Sequence, residues 1–218
     1  YSFKDRYLLS AIVRRDGSSK FGINNRYGTF PVISGGWIFS EEDFFNVKGV
    51  DFAKLRLSYG ISGNDQIPNF AFRALLNGEG AYVWDNVILS GVAIGRASNP
   101  DLKWESTRQF NAGLDLSLLS RFDVTVNYFI KNTRDLLFQP DVSGILGTYG
   151  PGGYPPFVNA GDVQNKGIEI EVGYRSKPIR NVLFSVDFHA TALQNEVLRV
   201  PEGVDFIPGA AFGVGGSI

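Results

Sequence analysis

Between residues 110 and 130 the chain alternates strictly between apolar and polar positions. Phe110, Ala112, Leu114, Leu116 and Leu118 share one parity, and Asn111, Gly113, Asp115 and Ser117 the other. After Leu119-Ser120-Arg121 the alternation resumes as Phe122, Val124, Val126, Tyr128 and Ile130, set against Asp123, Thr125, Asn127 and Phe129. Successive side chains of a strand point to opposite faces, so the two arms predict an antiparallel hairpin with one apolar and one polar face.

The same period recurs along the chain. Tyr7, Leu9, Ala11 and Val13 oppose Ser10, Arg14 and Asp16, with Leu8 and Ile12 blurring the polar side. A weaker arm runs from Arg26 to Trp37 and is interrupted by Gly35 and Gly36. Leu55, Leu57, Tyr59 and Ile61 oppose Lys54, Arg56 and Ser58; Ile168, Ile170, Val172 and Tyr174 oppose Glu169, Glu171 and Arg175. The last arm sets Phe184, Val186, Phe188 and Ala190 against Ser185, Asp187, His189 and Thr191. The pattern predicts an all-β chain of about seven antiparallel strands, each roughly 8 to 12 residues and longer than the usual globular strand.

The connections carry as much information as the strands. Leu119–Arg121 and Ser176–Asn181 are tight. Ser62–Glu105 and Asp135–Asp162 are long, and the second is rich in Gly, Pro and Tyr. Phe39–Ala53 holds Ser40-Glu41-Glu42-Asp43-Phe44-Phe45, which predicts a helical turn with Ser40 as N-cap and Asp43 three residues on. From the third strand onward long and short connections alternate, so an up-and-down sheet has its long loops at one end and its short turns at the other. Transmembrane barrels show that asymmetry. Sandwiches have no reason to sort loops by end. A strand such as 110–118 rises about 30 Å, enough to cross a hydrocarbon layer when tilted. Trp37, Phe122, Tyr128 and Tyr174 lie near strand ends, where interfacial aromatic girdles belong. A sandwich also satisfies the alternation, so the pattern leaves both architectures open while the loop sorting favours the barrel.

Composition narrows the function. Lys+Arg of 21 against Asp+Glu of 22 leaves a net charge of −1, which removes the basic face a nucleic-acid binder needs. No run of about 18 apolar residues encodes a transmembrane helix, a test to which alternating barrel strands are invisible. The absence of Cys excludes disulfides and thiolate metal sites. With Tyr1 first and no Met, the sequence predicts an internal piece or mature fragment of a larger protein.

Catalytic constellations are sparse. His189 is the only histidine and shares a face with Asp187, but no nucleophile is identifiable beside them. Glu169 and Glu171 lie about 7 Å apart on one strand face, a spacing a glycosidase pair could use and also the commonplace spacing of carboxylates on a wet face. Gly213-Val214-Gly215-Gly216 lacks the Lys and the strand–turn–helix context of a phosphate loop. Zinc and calcium motifs are absent. No enzymatic activity and no cofactor is predicted.

Particular words in the chain carry a resemblance. Tyr7-Leu8-Leu9-Ser10-Ala11, Val13-Arg14-Arg15-Asp16-Gly17-Ser18-Ser19-Lys20-Phe21-Gly22 and Asn25-Arg26-Tyr27-Gly28-Thr29-Phe30-Pro31 come first. Leu55-Arg56-Leu57-Ser58-Tyr59-Gly60 with Gly63-Asn64, then Asn99-Pro100-Asp101-Leu102-Lys103-Trp104-Glu105, then Asn159-Ala160-Gly161 and Asn165-Lys166-Gly167-Ile168-Glu169 follow in order. Together they resemble the SusC-type (SusC/RagA) TonB-dependent transporters of Bacteroidetes outer membranes, over residues 1 to about 197. Lys20 stands where Arg is commoner, and Val32-Ile33-Ser34-Gly35-Gly36 replaces a run richer in Ser and Ala.

The resemblance implies that residues 1–218 are part of a 22-stranded transmembrane β-barrel in the outer membrane, with the plug and the closing strands lying elsewhere. It implies energy-coupled uptake of a nutrient, an oligosaccharide or sometimes a peptide. The TonB complex would act through the plug, and a SusD-like surface lipoprotein would cap the barrel. Arg14, Arg56, Asp115 and Glu169 are expected to face the lumen and to pair with the plug or, as the second reading, to touch solute. Tyr82, Trp84, Tyr149, Tyr154 and Phe157, at the long-loop end, are expected to touch solute or partner, or to pack the loops together. The rival from another class is a secreted β-sandwich carbohydrate-binding module using Tyr82, Trp84 and Tyr154.

Overall fold

The computed structural model describes residues 1–77, 80–140, 154–177 and 183–200. In chain order the strands are β1 (Ser2–Phe3), β2 (Tyr7–Gly17), β3 (Tyr27–Ile38), β4 (Val50–Asn64), β5 (Leu75–Asn77), β6 (Tyr82–Trp84), β7 (Val87–Leu89) and β8 (Ala93–Arg96). They continue with β9 (Glu105–Leu118), β10 (Phe122–Arg134), β11 (Leu137–Phe138), β12 (Val158–Asn159), β13 (Asp162–Arg175) and β14 (Ser185–Arg199). One antiparallel sheet takes the order β1-β2-β3-β4-β9-β10-β13-β14, so each long strand pairs with the long strand before it. The seven long strands are those the alternation predicts, and β1 adds a short hairpin arm. The remaining strands form three two-stranded ribbons in the long connections.

This arrangement supports the barrel expectation and not the rival sandwich. All the long strands belong to one sheet, and among the described residues no second sheet covers its apolar face. A sandwich needs two such faces packed together.

Cross-strand register sorts the side chains by chemistry. On one face Leu55, Leu114, Val126, Ile170 and Ala190 stand in a row across five strands, with Ala53, Leu116, Val124, Val172 and Phe188 one row below. On the other, Lys54, Asp115, Thr125, Glu171 and His189 form a row, and above it Arg56, Gly113, Asn127, Glu169 and Thr191. Along the apolar face of β9 no charge occurs between Leu118 and Phe110, a rise of about 27 Å along the strand. Tilted by about 40°, that length covers most of the apolar band of about 25 Å found on outer-membrane barrels. Charge returns beyond it, at Arg108, Lys166 and Glu196, all toward the long loops.

The predicted helical turn takes a different form. Phe39–Glu41 is a single 3-10 turn preceded by Ile38 and without a side-chain cap, and the Ser40 hydroxyl is buried with no partner among the described residues. Tertiary contacts override the capping signal here. The rings of Phe39 and Phe45 meet edge-on at 5.2 Å. The Glu42 carboxylate accepts hydrogen bonds from the Tyr7 hydroxyl, from Trp37 Nε1 at 3.0 Å and from Arg6 Nη1 at 3.3 Å. The tight turn at Leu119-Ser120 has positive φ at both residues, +54° and +52°. That conformation usually falls to Asn-Gly. The neighbouring connection supports it: Leu119 N–H donates to the Gly49 carbonyl and Ser120 N–H to the Asp51 carboxylate.

Candidate functional site

The long connections pack into a layer above the sheet. Phe21, Ile67, Ala71 and Leu102 are buried, and Phe72, Trp104, Leu137 and Phe157 close around them. These side chains come from three separate connections, β2–β3, β4–β9 and β10–β13. Polar clamps join the same three. Ser18 Oγ donates to Asp65 Oδ2 at 2.8 Å, and Lys20 Nζ donates to the Asp65 carbonyl at 2.8 Å. Asn99 Nδ2 donates to the Phe157 carbonyl at 2.8 Å, and Asn159 Nδ2 to the Lys103 carbonyl at 2.7 Å. A Cβ on Gly22 would lie 2.7 Å from the Pro100 carbonyl oxygen, so the close approach of two connections requires glycine there. The words singled out in the sequence at residues 18–22, 99–105 and 159–161 therefore meet in space.

The five loop aromatics fall into different settings. Tyr82 and Trp84 lie on one face of the β6–β7 ribbon and are 56% and 71% exposed. Asp85 and Asn86 turn the ribbon at φ +48° and +58°. Tyr154 is exposed, and its backbone N–H donates to the Gly95 carbonyl at 2.7 Å, tying its segment to β8. Phe157 packs against the loop core. Tyr149 lies outside the described residues. Arg96 on β8 was not anticipated. It is 5% exposed, its Nε has no partner among the described residues, and burial pushes its guanidinium below the ordinary arginine value.

On the polar face of the sheet, Arg56 forms a two-pronged contact with Asp115, Nε to Oδ2 at 2.6 Å and Nη2 to Oδ1 at 2.8 Å. Its Nη2 also donates to Asn127 Oδ1 at 3.0 Å. Glu169 stands directly across from Asn127 and lines, with Arg56, Asn111, Asn127 and Lys131, a depression of about 450 Å³. Arg14 shares this face by register but sits toward the loops, with its Nε on Asp16 Oδ2 at 2.7 Å and its guanidinium 5.7 Å from the Phe30 ring. Arg56, Asp115 and Glu169 are thus neighbours, and Arg14 is separate from them. Ser58 and Asn111 extend the network, Asn111 Nδ2 donating to Ser58 Oγ at 3.0 Å. Their parity was legible in the alternation, although their pairing was not. His189 Nδ1 lies 3.9 Å from Glu171 Oε2 across the strand pair, so its nearest carboxylate is Glu171.

The sheet, its apolar band and its loop layer define a wall segment of a transmembrane β-barrel. Residues 1–215 match the family described as TonB dependent receptor-like, beta-barrel, and the chain belongs to that family of outer-membrane proteins. A TonB-dependent receptor of Formosa agariphila is 38% identical over 216 residues, covering 96% of this chain and 20% of the relative. The TonB-dependent receptor SusC of Bacteroides thetaiotaomicron is 33% identical over 211 residues, covering 94% of this chain and 20% of SusC. The structure of the RagAB peptide transporter superposes with a TM-score of 0.84 at 25% identity, covering 96% of this chain and 22% of that one. The chain spans about a fifth of the length of the curated relatives it matches. In transmembrane barrels the apolar face of such a wall meets lipid and the polar face lines the interior.

Proposed function

We propose that this chain forms wall and outer loops of a transporter that takes up an oligosaccharide across the outer membrane, with energy supplied by the TonB complex. The plug through which TonB acts, and a SusD-like lipoprotein over the mouth, belong to the whole assembly in this reading. The observation that carries the substrate class is the pair Tyr82 and Trp84. Two residues apart on one ribbon face, their Cα positions are about 7 Å apart along a two-stranded arm at the long-loop end. Flat exposed rings at that spacing offer successive stacking platforms to a sugar chain, and the Ser58–Asn111 network offers hydroxyl and amide partners on the wall below. A peptide is the second reading, favoured by the likeness to the RagAB peptide transporter.

The test is ligand binding by the full-length receptor carrying Tyr82→Ala and Trp84→Ala, titrated with a panel of oligosaccharides and of peptides. The double variant is expected to bind its oligosaccharide about tenfold more weakly, from the loss of one to two ring contacts. Unchanged affinity for every glycan, or binding confined to peptides, would overturn the oligosaccharide reading.

A further inference from the structure

Adjacent antiparallel strands can be joined by two residues. β9 and β10 use Leu119-Ser120-Arg121, whereas β3 and β4, at the same end of the sheet, are joined by residues 39–49. That extra length does not hang free. Trp37 and Tyr7 are directly opposed across the β2–β3 pair on the apolar face, as its last row at the short-turn end. The connection folds back against this row. The Phe44 ring meets Trp37 at a tilt, 6.3 Å between centroids, and the Phe39 ring lies 5.8 Å from the same indole. Glu42 fastens it there by accepting from Tyr7, Trp37 and Arg6, two of which belong to the lipid-facing row.

The folded-back segment leaves a particular surface uncovered. Phe44 is 72% exposed and Val47 53% exposed, directly beyond the apolar band, with Lys48 next to Val47 in the chain and Arg6 tied to the same segment through Glu42. We propose that residues 39–49 are an interfacial anchor, seated in the phospholipid headgroup layer on the periplasmic side of the outer membrane. Continuity decides the occupant. Phe44 extends a surface that already meets lipid, and it does so at the level where aromatic rings with one wet edge are favoured. Lys48 is placed to meet lipid phosphate, while Phe44 and Val47 reach the acyl boundary. The inference concerns the membrane and does not depend on what is transported.

The test uses the full-length receptor in a cysteine-free background, reconstituted into phosphatidylethanolamine–phosphatidylglycerol vesicles. Nitroxide labels at Phe44→Cys and Val47→Cys are read for collision with oxygen, which partitions into the bilayer, and with a water-soluble nickel chelate. Leu57→Cys on the apolar face is the lipid reference, and Gln66→Cys in the outer loops the aqueous one. Labels at 44 and 47 are expected to favour oxygen, as at 57, and to shift toward the nickel chelate when Glu42→Gln loosens the clamp. Preference for the nickel chelate at both sites would overturn the proposal. Shielding from both reagents would also overturn it, in favour of a protein contact. Val47→Cys carries the measurement if Phe44→Cys does not assemble.

Discussion

The guanidinium of Arg56 reaches Asp115 by crossing over Gly113, the residue directly opposite Arg56 in the sheet. A Cβ at Gly113 would lie 2.8 Å from Arg56 Nη2 and 2.7 Å from Asn127 Oδ1. The missing side chain is what lets one arginine bridge two strands on either side of its neighbour. Gly113→Ala is expected to push the guanidinium off Asp115 and lower unfolding stability by about 1 kcal/mol, the scale of a charge-assisted bond on a partly wetted face. Asp115→Asn should cost a similar amount. Because both act on one contact, the double variant should fall short of additivity. Denaturant unfolding of the reconstituted receptor measures the cycle, and full additivity would remove the bridge as the cause.

A different glycine is limited by rigid rings. The Phe30 side chain, 5% exposed, lies over Gly63, where a Cβ would come within 2.1 Å of Phe30 Cζ and 2.9 Å of Trp104 Cε3. Neither ring can swing aside, since the two already meet edge-on at 5.4 Å and Trp104 closes the loop core. Gly63→Ala is expected to cost about 1–3 kcal/mol by overpacking. Faster amide exchange across residues 99–105 should accompany it. Unchanged exchange there would show that the rings yield.

The Glu42 clamp sets a pH dependence. Hydrogen bonds from the Tyr7 hydroxyl and the Trp37 indole, with the Arg6 charge, hold the Glu42 carboxyl below the ordinary glutamate value of 4.5. A carboxyl lowered in the folded state contributes stability that is complete above its unfolded value and lost as pH falls through its folded one. Residues 39–49 should therefore keep their exchange protection from neutral pH down to about 4.5 and lose it progressively below. Glu42→Gln should lack this step. An identical acid profile in the variant would remove Glu42 as the cause.

The lipid face is tested by its period. Single cysteines at Leu114, Leu116, Val124, Val126, Ile170 and Val186 should react with a bilayer-soluble reagent and resist a water-soluble maleimide. Leu114→Arg should destabilise insertion by about 2–4 kcal/mol if it sits near the midplane. Ready labelling of most of these six sites from water would contradict the membrane orientation.

The strands were legible because a two-sided environment writes itself into alternate residues. The hairpin at 110–130 shows it, with Leu114 and Val126 facing one solvent and Asp115 and Asn127 the other. Strand ends were less legible. β4 runs from Val50 to Asn64 where the alternation marks only 54–61, because pairing continues where the lipid band ends and side-chain polarity no longer alternates. Ser40 misled for a related reason: a cap is a local preference of about 1 kcal/mol, and distant Tyr7 and Arg6, together with nearby Trp37, gather on Glu42 instead. The loop layer was legible as words and not as contacts. Nothing near Phe21 in sequence points to Leu102 or Phe157, since their proximity is created by the intervening pairings β3–β4, β4–β9 and β9–β10.

That proximity gives the outer layer a role in assembly. Phe21, Leu102 and Phe157 reach one another only if β2 through β13 are paired in the correct register, and a slip of two residues along any one strand moves its loop by about 7 Å. Such a slip keeps every side chain on its proper face, so contact with lipid and water alone would not penalise it. The aromatic and asparagine contacts above the membrane would. The loop core thus works as a gauge of correct strand alignment, rejecting the one class of misassembly to which an alternating sheet is otherwise blind.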